Sequence, residues 1–190
     1  MDLFEVIHSQ RAIRAFRPDP VPDELITQIL DAATRAPSGG NLQPWAFLVI
    51  RDQAQRSEIA AIYRRASERY SGGAPVTSGL AATMADVPVL ILACIHHSGS
   101  RGSLVHGAHI YPAVQNLMLA ARNLGLGTVI TTLHRMFERE VKALLGIPDD
   151  VDTAALIPLG YPAEGTRFGS TTRKSLGEVA HLNRWGAPWG

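Results

Sequence analysis

The chain has 190 residues, of which 46% are hydrophobic and 18% charged, and its formal net charge is +1. That length fits a single domain spanning residues 1–190, and the apolar fraction excludes a disordered chain. The near-neutral balance lacks the broad basic field by which proteins hold nucleic acid, and so sparse a surface charge fits a protein partly covered by a second subunit.

No basic-then-apolar leader opens the chain, so a cytoplasmic protein is expected. Asp2 is placed as the N-cap of a short helix carrying Leu3, Phe4, Val6 and Ile7. A cationic segment with Arg11, Arg14 and Arg17 follows and stops at Pro18, Pro20 and Pro22. Asp23 starts a second helix with Leu25, Ile26, Ile29, Leu30 and Ala33 on one face, ending before a turn at Pro37, Ser38, Gly39, Gly40 and Asn41. Residues 45–50 read as a strand and residues 53–70 as a polar helix. The Gly/Ser/Pro-containing stretch 71–79 is the place for a mobile loop or lid.

Residues 87–95 form the longest apolar run, a buried strand too short to cross a bilayer, so no membrane partner is expected. It holds Cys94, the only cysteine, which excludes an internal disulfide and any cysteine-based zinc cluster. Residues 108–124 are apolar nearly all round, a pattern that calls for burial on every side. A symmetry mate in a two-fold dimer is the simplest way to provide it. Residues 127–133 read as a strand, 137–145 as a short helix and 154–161 as a last core strand, before a polar, turn-rich tail. Strands and helices alternate irregularly, which favours a three-layer α+β or α/β sandwich over a doubly wound sheet.

Several chemistries lack their residues. No P-loop motif occurs, and Gly125-Leu126-Gly127-Thr128 lacks the third glycine of a dinucleotide-binding turn and precedes a strand. His96 and His97 point to opposite faces of a strand, and His106 and His109 have no carboxylate at helical spacing, so no metal site is expected. Ser38 is not in a nucleophile elbow. What remains is positive charge at both ends: Arg11, Arg14 and Arg17 near the start, and Arg167, Arg173 and Lys174 in the tail. If the fold brings the ends together they suit one phosphate; otherwise they are solvated surface cations. The loop around Ser38, Asn41, Gln43 and Trp45 offers hydroxyl, amide and backbone N–H groups that a planar polar ligand could approach, as an ordinary turn also would.

Five segments in order then resemble the FMN-dependent nitroreductase family: Gln10-Arg11-Ala12-Ile13-Arg14-Ala15-Phe16; Ala36-Pro37-Ser38-Gly39-Gly40-Asn41-Leu42-Gln43-Pro44-Trp45; Ala113-Val114-Gln115-Asn116-Leu117-Met118 with Gly125-Leu126-Gly127-Thr128; Ile157-Pro158-Leu159-Gly160-Tyr161-Pro162; and Arg173-Lys174-Ser175-Leu176. Only about residues 51–86 are unplaced. The resemblance implies an α+β, three-layer α-β-α sandwich whose mostly antiparallel sheet is completed across a homodimer, with FMN at the interface. By position, Arg11, Ala12 and Arg14 would hold the phosphate and ribityl chain together with Arg173 and Lys174. Pro37, Ser38, Gly39 and Asn41 would reach the flavin of the partner, and Thr131, Thr132 and Leu133 would lie beside its N5 edge.

The implied activity is reduction of a small acceptor, nitroaromatic or quinone-like, by NAD(P)H as co-substrate, in ping-pong turns through the flavin with no catalytic side chain. Two departures stand out. Ala12 replaces a common serine, a loss of about 1 kcal/mol in phosphate contact. Thr131, Thr132 and Leu133 are bulkier than the glycines often found there. Alternatives are a flavin dehydrogenase or dehalogenase of the same superfamily, with Tyr63, Arg64, Arg65 and Arg69 facing an aromatic or anionic substrate, and a flavin-sequestering protein without turnover.

Overall fold

The computed structural model describes residues 1–97 and 104–189. Seven helices and four strands occur among them: α1 Leu3–Ser9, α2 Asp23–Thr34, β1 Trp45–Ile50, α3 Gln53–Tyr70, α4 Leu80–Thr83, β2 Val89–His96, α5 Leu104–Asn123, β3 Gly127–Thr128, α6 Glu138–Leu145, β4 Val151–Gly160 and α7 Leu176–Val179. The strands form one antiparallel sheet in the order β1-β2-β4-β3.

Side chains alternate across a strand, and β2 up to Ile95 and the whole of β4 are buried, so the sheet has apolar residues on both faces. Val89, Ile91, Ala93 and Ile95 meet Ile26, Ile29 and Ala33 of α2 and Ile110, Val114 and Leu117 of α5. Leu90, Leu92 and Cys94 meet Ile59, Ile62 and Tyr63 of α3 and Val141 of α6. Helices on both faces of one sheet make the expected three-layer α+β sandwich.

Local signals act as expected at several points. Asp2 caps α1 by accepting from the Glu5 N–H at 2.9 Å, and Asp52 caps α3 by accepting from Gln55. The spans of β1 and α3 coincide with those read from the sequence. The strand expected over 127–133 is interrupted after Thr128. One register pairs Gly127 with Gly160, Thr128 with Leu159 and, as an isolated bridge, Thr131 with Leu156. That register sets Val129 opposite Pro158, which has no N–H to donate.

Helix α5 starts earlier than expected, at Leu104, and carries Pro112 inside it. In the single chain it is covered on one face only. Ile110, Ala113, Val114, Leu117, Met118 and Ala121 are buried, whereas Leu104 is 92% exposed.

Candidate functional site

The segment after α1 lies along the β3–β4 edge. Ala12 bridges Thr128, and the Ile13 N–H donates to the Thr128 carbonyl at 2.9 Å. Phe16 bridges Pro162, and the Arg17 N–H donates to the Tyr161 carbonyl. Ile13 is fully buried against Gly127, where a Cβ would stand 2.7 Å from Ile13 Cγ2. With Ile13 pointing inward, Arg11, Ala12 and Arg14 are left exposed. Arg17 pairs with Asp19 at 3.2 Å and covers the Tyr161 ring. Among the described residues, neither Arg11 nor Arg14 forms an ion pair with a carboxylate.

Beside this edge runs the turn at Thr131, Thr132 and Leu133. Thr131 exchanges both backbone hydrogen bonds with Leu156, at 3.0 and 2.9 Å. Its Oγ1 lies 2.8 Å from the Tyr63 hydroxyl. Tyr63 is buried beneath α3 and does not face solvent as a substrate contact would. Burial pushes its phenol pKa up, and the Thr131 hydrogen bond and the Arg14 charge partly oppose this.

The turn continues into a 3-10 helix, Leu133–Phe137, anchored by a polar chain in the core. Glu138 Oε1 accepts from both the N–H and the hydroxyl of Thr153 at 2.7 Å. The one hydroxyl proton is thus committed, so the His134 ring, 3.2 Å away, donates to Thr153 through Nε2. His134 Nδ1 is left buried without a partner. Burial lowers the imidazole pKa to about 4, with Glu138 opposing. Burial alone would raise the Glu138 carboxyl, but the two Thr153 hydrogen bonds, Arg135 and His134 outweigh it and leave it below the ordinary carboxylate value.

The loop holding Pro37, Ser38, Gly39 and Asn41 precedes β1. The Gln43 N–H donates to Ser38 Oγ, the Asn41 N–H to the Ser38 carbonyl, and the Gly39 N–H to His109 Nδ1 of α5. The Gln43 amide folds back on the Asn41 carbonyl, and Trp45 packs on the core. Trp45 pairs with Ile95, at the opposite end of the sheet from the pairing of Thr128 with Leu159, and on its other edge. One chain therefore does not bring this loop to Arg11 and Arg14.

The tail meets the first segment on both sides of Arg11 and Arg14, with the Ala163 N–H donating to the Ala15 carbonyl at 3.0 Å. The Gly169 N–H donates to the Ser9 carbonyl, and the Arg122 guanidinium stacks on Phe168. Arg173 and Lys174 are exposed, with the Arg173 guanidinium on the Thr172 carbonyl. No contact joins them to Arg11 or Arg14 among the described residues.

Other sequence candidates have structural roles. Arg65 Nη2 donates to both carboxylate oxygens of Glu140, and the guanidinium covers Phe137. His97 lies against the Asp149 carbonyl, and no group of three metal ligands exists among the described residues. The buried Cys94 thiol is pushed up to about 12, chiefly by burial, and is inert. No helix among the described residues is long and apolar enough to cross a membrane. His109, His134, Glu138 and Thr153 leave no local pattern in the sequence, because their contacts join residues distant in the chain.

The model of the nitroreductase family matches residues 7–161, a span that includes Arg11, Arg14, the Ser38 loop and the Thr131 turn. The chain belongs to the nitroreductase family. A Methanothermobacter thermautotrophicus relative with the provisional name NADH dehydrogenase/NAD(P)H nitroreductase is 37% identical over 173 residues, 88% of this chain and 82% of that one. Iodotyrosine deiodinase 1 of Rattus norvegicus is 30% identical, over 94% of this chain and 68% of its own length. The fold also matches the structure of oxidized iodotyrosine deiodinase bound to FMN and 3-iodo-L-tyrosine, with a TM-score of 0.80, 22% identity, and coverage of 98% of this chain and 100% of that one. The family match thus embraces relatives named for two different reactions.

Proposed function

We propose that the protein is an FMN-dependent oxidoreductase that takes reducing equivalents from NAD(P)H and passes them to a nitroaromatic, quinone-like or related small acceptor. The observation that carries this reading is the pair Arg11 and Arg14, two exposed guanidinium groups with no carboxylate partner among the described residues, beside the Thr131 turn in a chain of the nitroreductase family. Guanidinium forks suit the phosphate of FMN, so the donor set fits the group. When bound, FMN supplies a ring that accepts and returns hydride.

The residues then divide the work. Arg11 and Arg14 hold the phosphate, with the Ala12 backbone between them and Arg173 and Lys174 joining from the tail. Thr131, Thr132 and Leu133 line the ring, their turn fixed by Tyr63 and by the chain from His134 to Glu138. Pro37, Ser38, Gly39 and Asn41 lie too far away in one chain and serve the FMN of a second copy. Leu3, Phe4 and Ile7 of α1 are exposed, and Leu119 and Ala120 of α5 line a groove with Met1 and Leu3. A homodimer would cover this apolar surface.

The test is anaerobic addition of NADH or NADPH to the FMN-loaded protein. Loss of the oxidised flavin absorbance, restored by a quinone or nitroaromatic, is expected. Flavin that persists with both nucleotides would contradict the reading and favour a sequestering role. Kinship with the deiodinases at 30% identity favours one second reading, reductive removal of halide from an aromatic substrate. Iodide released from 3-iodotyrosine by the reduced protein, with no turnover of quinones, would favour it.

A further inference from the structure

The loop before β1 has a backbone that side chains disfavour. Gly40, Asn41 and Gln43 have φ of +58°, +54° and +48°, in the left-handed region. For Asn41 and Gln43 this costs on the order of 1 kcal/mol each, and such a shape persists only where neighbouring contacts hold it. Ser38 supplies two of those contacts from inside the loop. His109, 70 residues further on in α5, supplies one from outside, accepting the Gly39 N–H at Nδ1 over 3.2 Å.

A second observation concerns the same ring. A Cβ on Gly39 would stand 3.0 Å from His109 Cε1. Gly39, unlike Gly40, does not have the positive φ that favours glycine. A side chain at position 39 would therefore crowd the imidazole. Because Nδ1 accepts the Gly39 N–H, it carries no proton, and the ring proton sits on Nε2.

We infer that His109 is a positioning residue of the cofactor loop: it fixes the Gly39 backbone so that Ser38, Gly39 and Asn41 present one shape to the FMN of the second copy. The inference rests on the FMN reading above. It requires an acceptor at the position of Nδ1, not merely bulk.

Two variants separate these requirements. His109→Asn keeps an acceptor near the position of Nδ1, and His109→Leu fills similar volume without one. The measurements are the FMN dissociation constant and amide exchange at Gly39 in the full chain, with and without FMN. Wild type and His109→Asn should both protect Gly39 and bind FMN alike. His109→Leu should lose the protection and bind FMN roughly five- to tenfold more weakly, as expected for one hydrogen bond. Unchanged FMN affinity in His109→Leu overturns the inference, as does an Asn variant as weak as the Leu variant. A wild-type chain that binds no FMN overturns the functional reading itself, and that outcome is distinguished by the wild-type protein alone.

Discussion

Arg11, Arg14 and Arg17 share one short segment, and their spacing alone leaves phosphate binding and plain solvation equally open. The fold separates them. Arg17 is taken up by Asp19 and the Tyr161 ring, whereas Arg11 and Arg14 have no carboxylate partner among the described residues. Arg14→Ala should weaken FMN binding roughly tenfold to a hundredfold, as expected for a charge-assisted contact of about 1.5–3 kcal/mol. An unchanged dissociation constant in a fluorescence titration would remove Arg14 from the phosphate site. Gly127 is fixed by the Ile13 side chain against it. Gly127→Ala would set a Cβ 2.7 Å from Ile13 Cγ2 and should destabilise the chain by about 1–3 kcal/mol. A urea midpoint equal to that of wild type would refute the close approach.

At the level of elements, hydrophobic periodicity and capping residues make α2, β1 and α3 legible, because those signals lie within each element. β3 is shorter than its own sequence implies, since the interruption comes from Pro158 on the neighbouring strand. β4 begins at Val151, earlier than expected, because Asp152 and Thr153 pair with Ile95 and Cys94 despite their polarity. α5 runs through Gly107 and Pro112, whose weak helix propensity is overridden by packing on α2 and the sheet. Of the proposed site, the Arg11 and Ser38 segments were legible as motifs, and the Thr131 turn only by its place in the family resemblance. The polar chain that braces the last of these, His134, Thr153 and Glu138, was not.

That chain has a measurable pH signature. His134 titrates at about 4 in the folded protein against 6.5 in the unfolded chain, so the unfolded state takes up the proton first as pH falls. Its contribution is present above about pH 6.5 and is lost towards pH 4, on the order of 3 kcal/mol in all and about 2 kcal/mol of it by pH 5. Glu138, lowered in the folded state, adds a further loss that begins as pH falls through the ordinary carboxylate value and continues below it. Urea unfolding should therefore give lower stability at pH 5 than at pH 7, with a shallower dependence in His134→Gln. The same pH dependence in both proteins would show that His134 does not carry it.

Over the whole molecule, the sheet keeps the two halves of the proposed site apart. The Ser38 loop lies at the Trp45 end of β1, on one edge, and Arg11 and Arg14 lie beside β3 on the other. A single chain so arranged has two half-sites and an apolar α1 exposed to water, and a second copy would complete both sites at once. On α5 one face meets the core, whereas Leu104, Val105 and Tyr111 are exposed in the single chain and would be covered in the proposed dimer. Native mass spectrometry of the FMN-loaded protein tests this directly. The expected species is two chains with two FMN molecules. A single chain that retains FMN at equal affinity would contradict a site assembled from two copies.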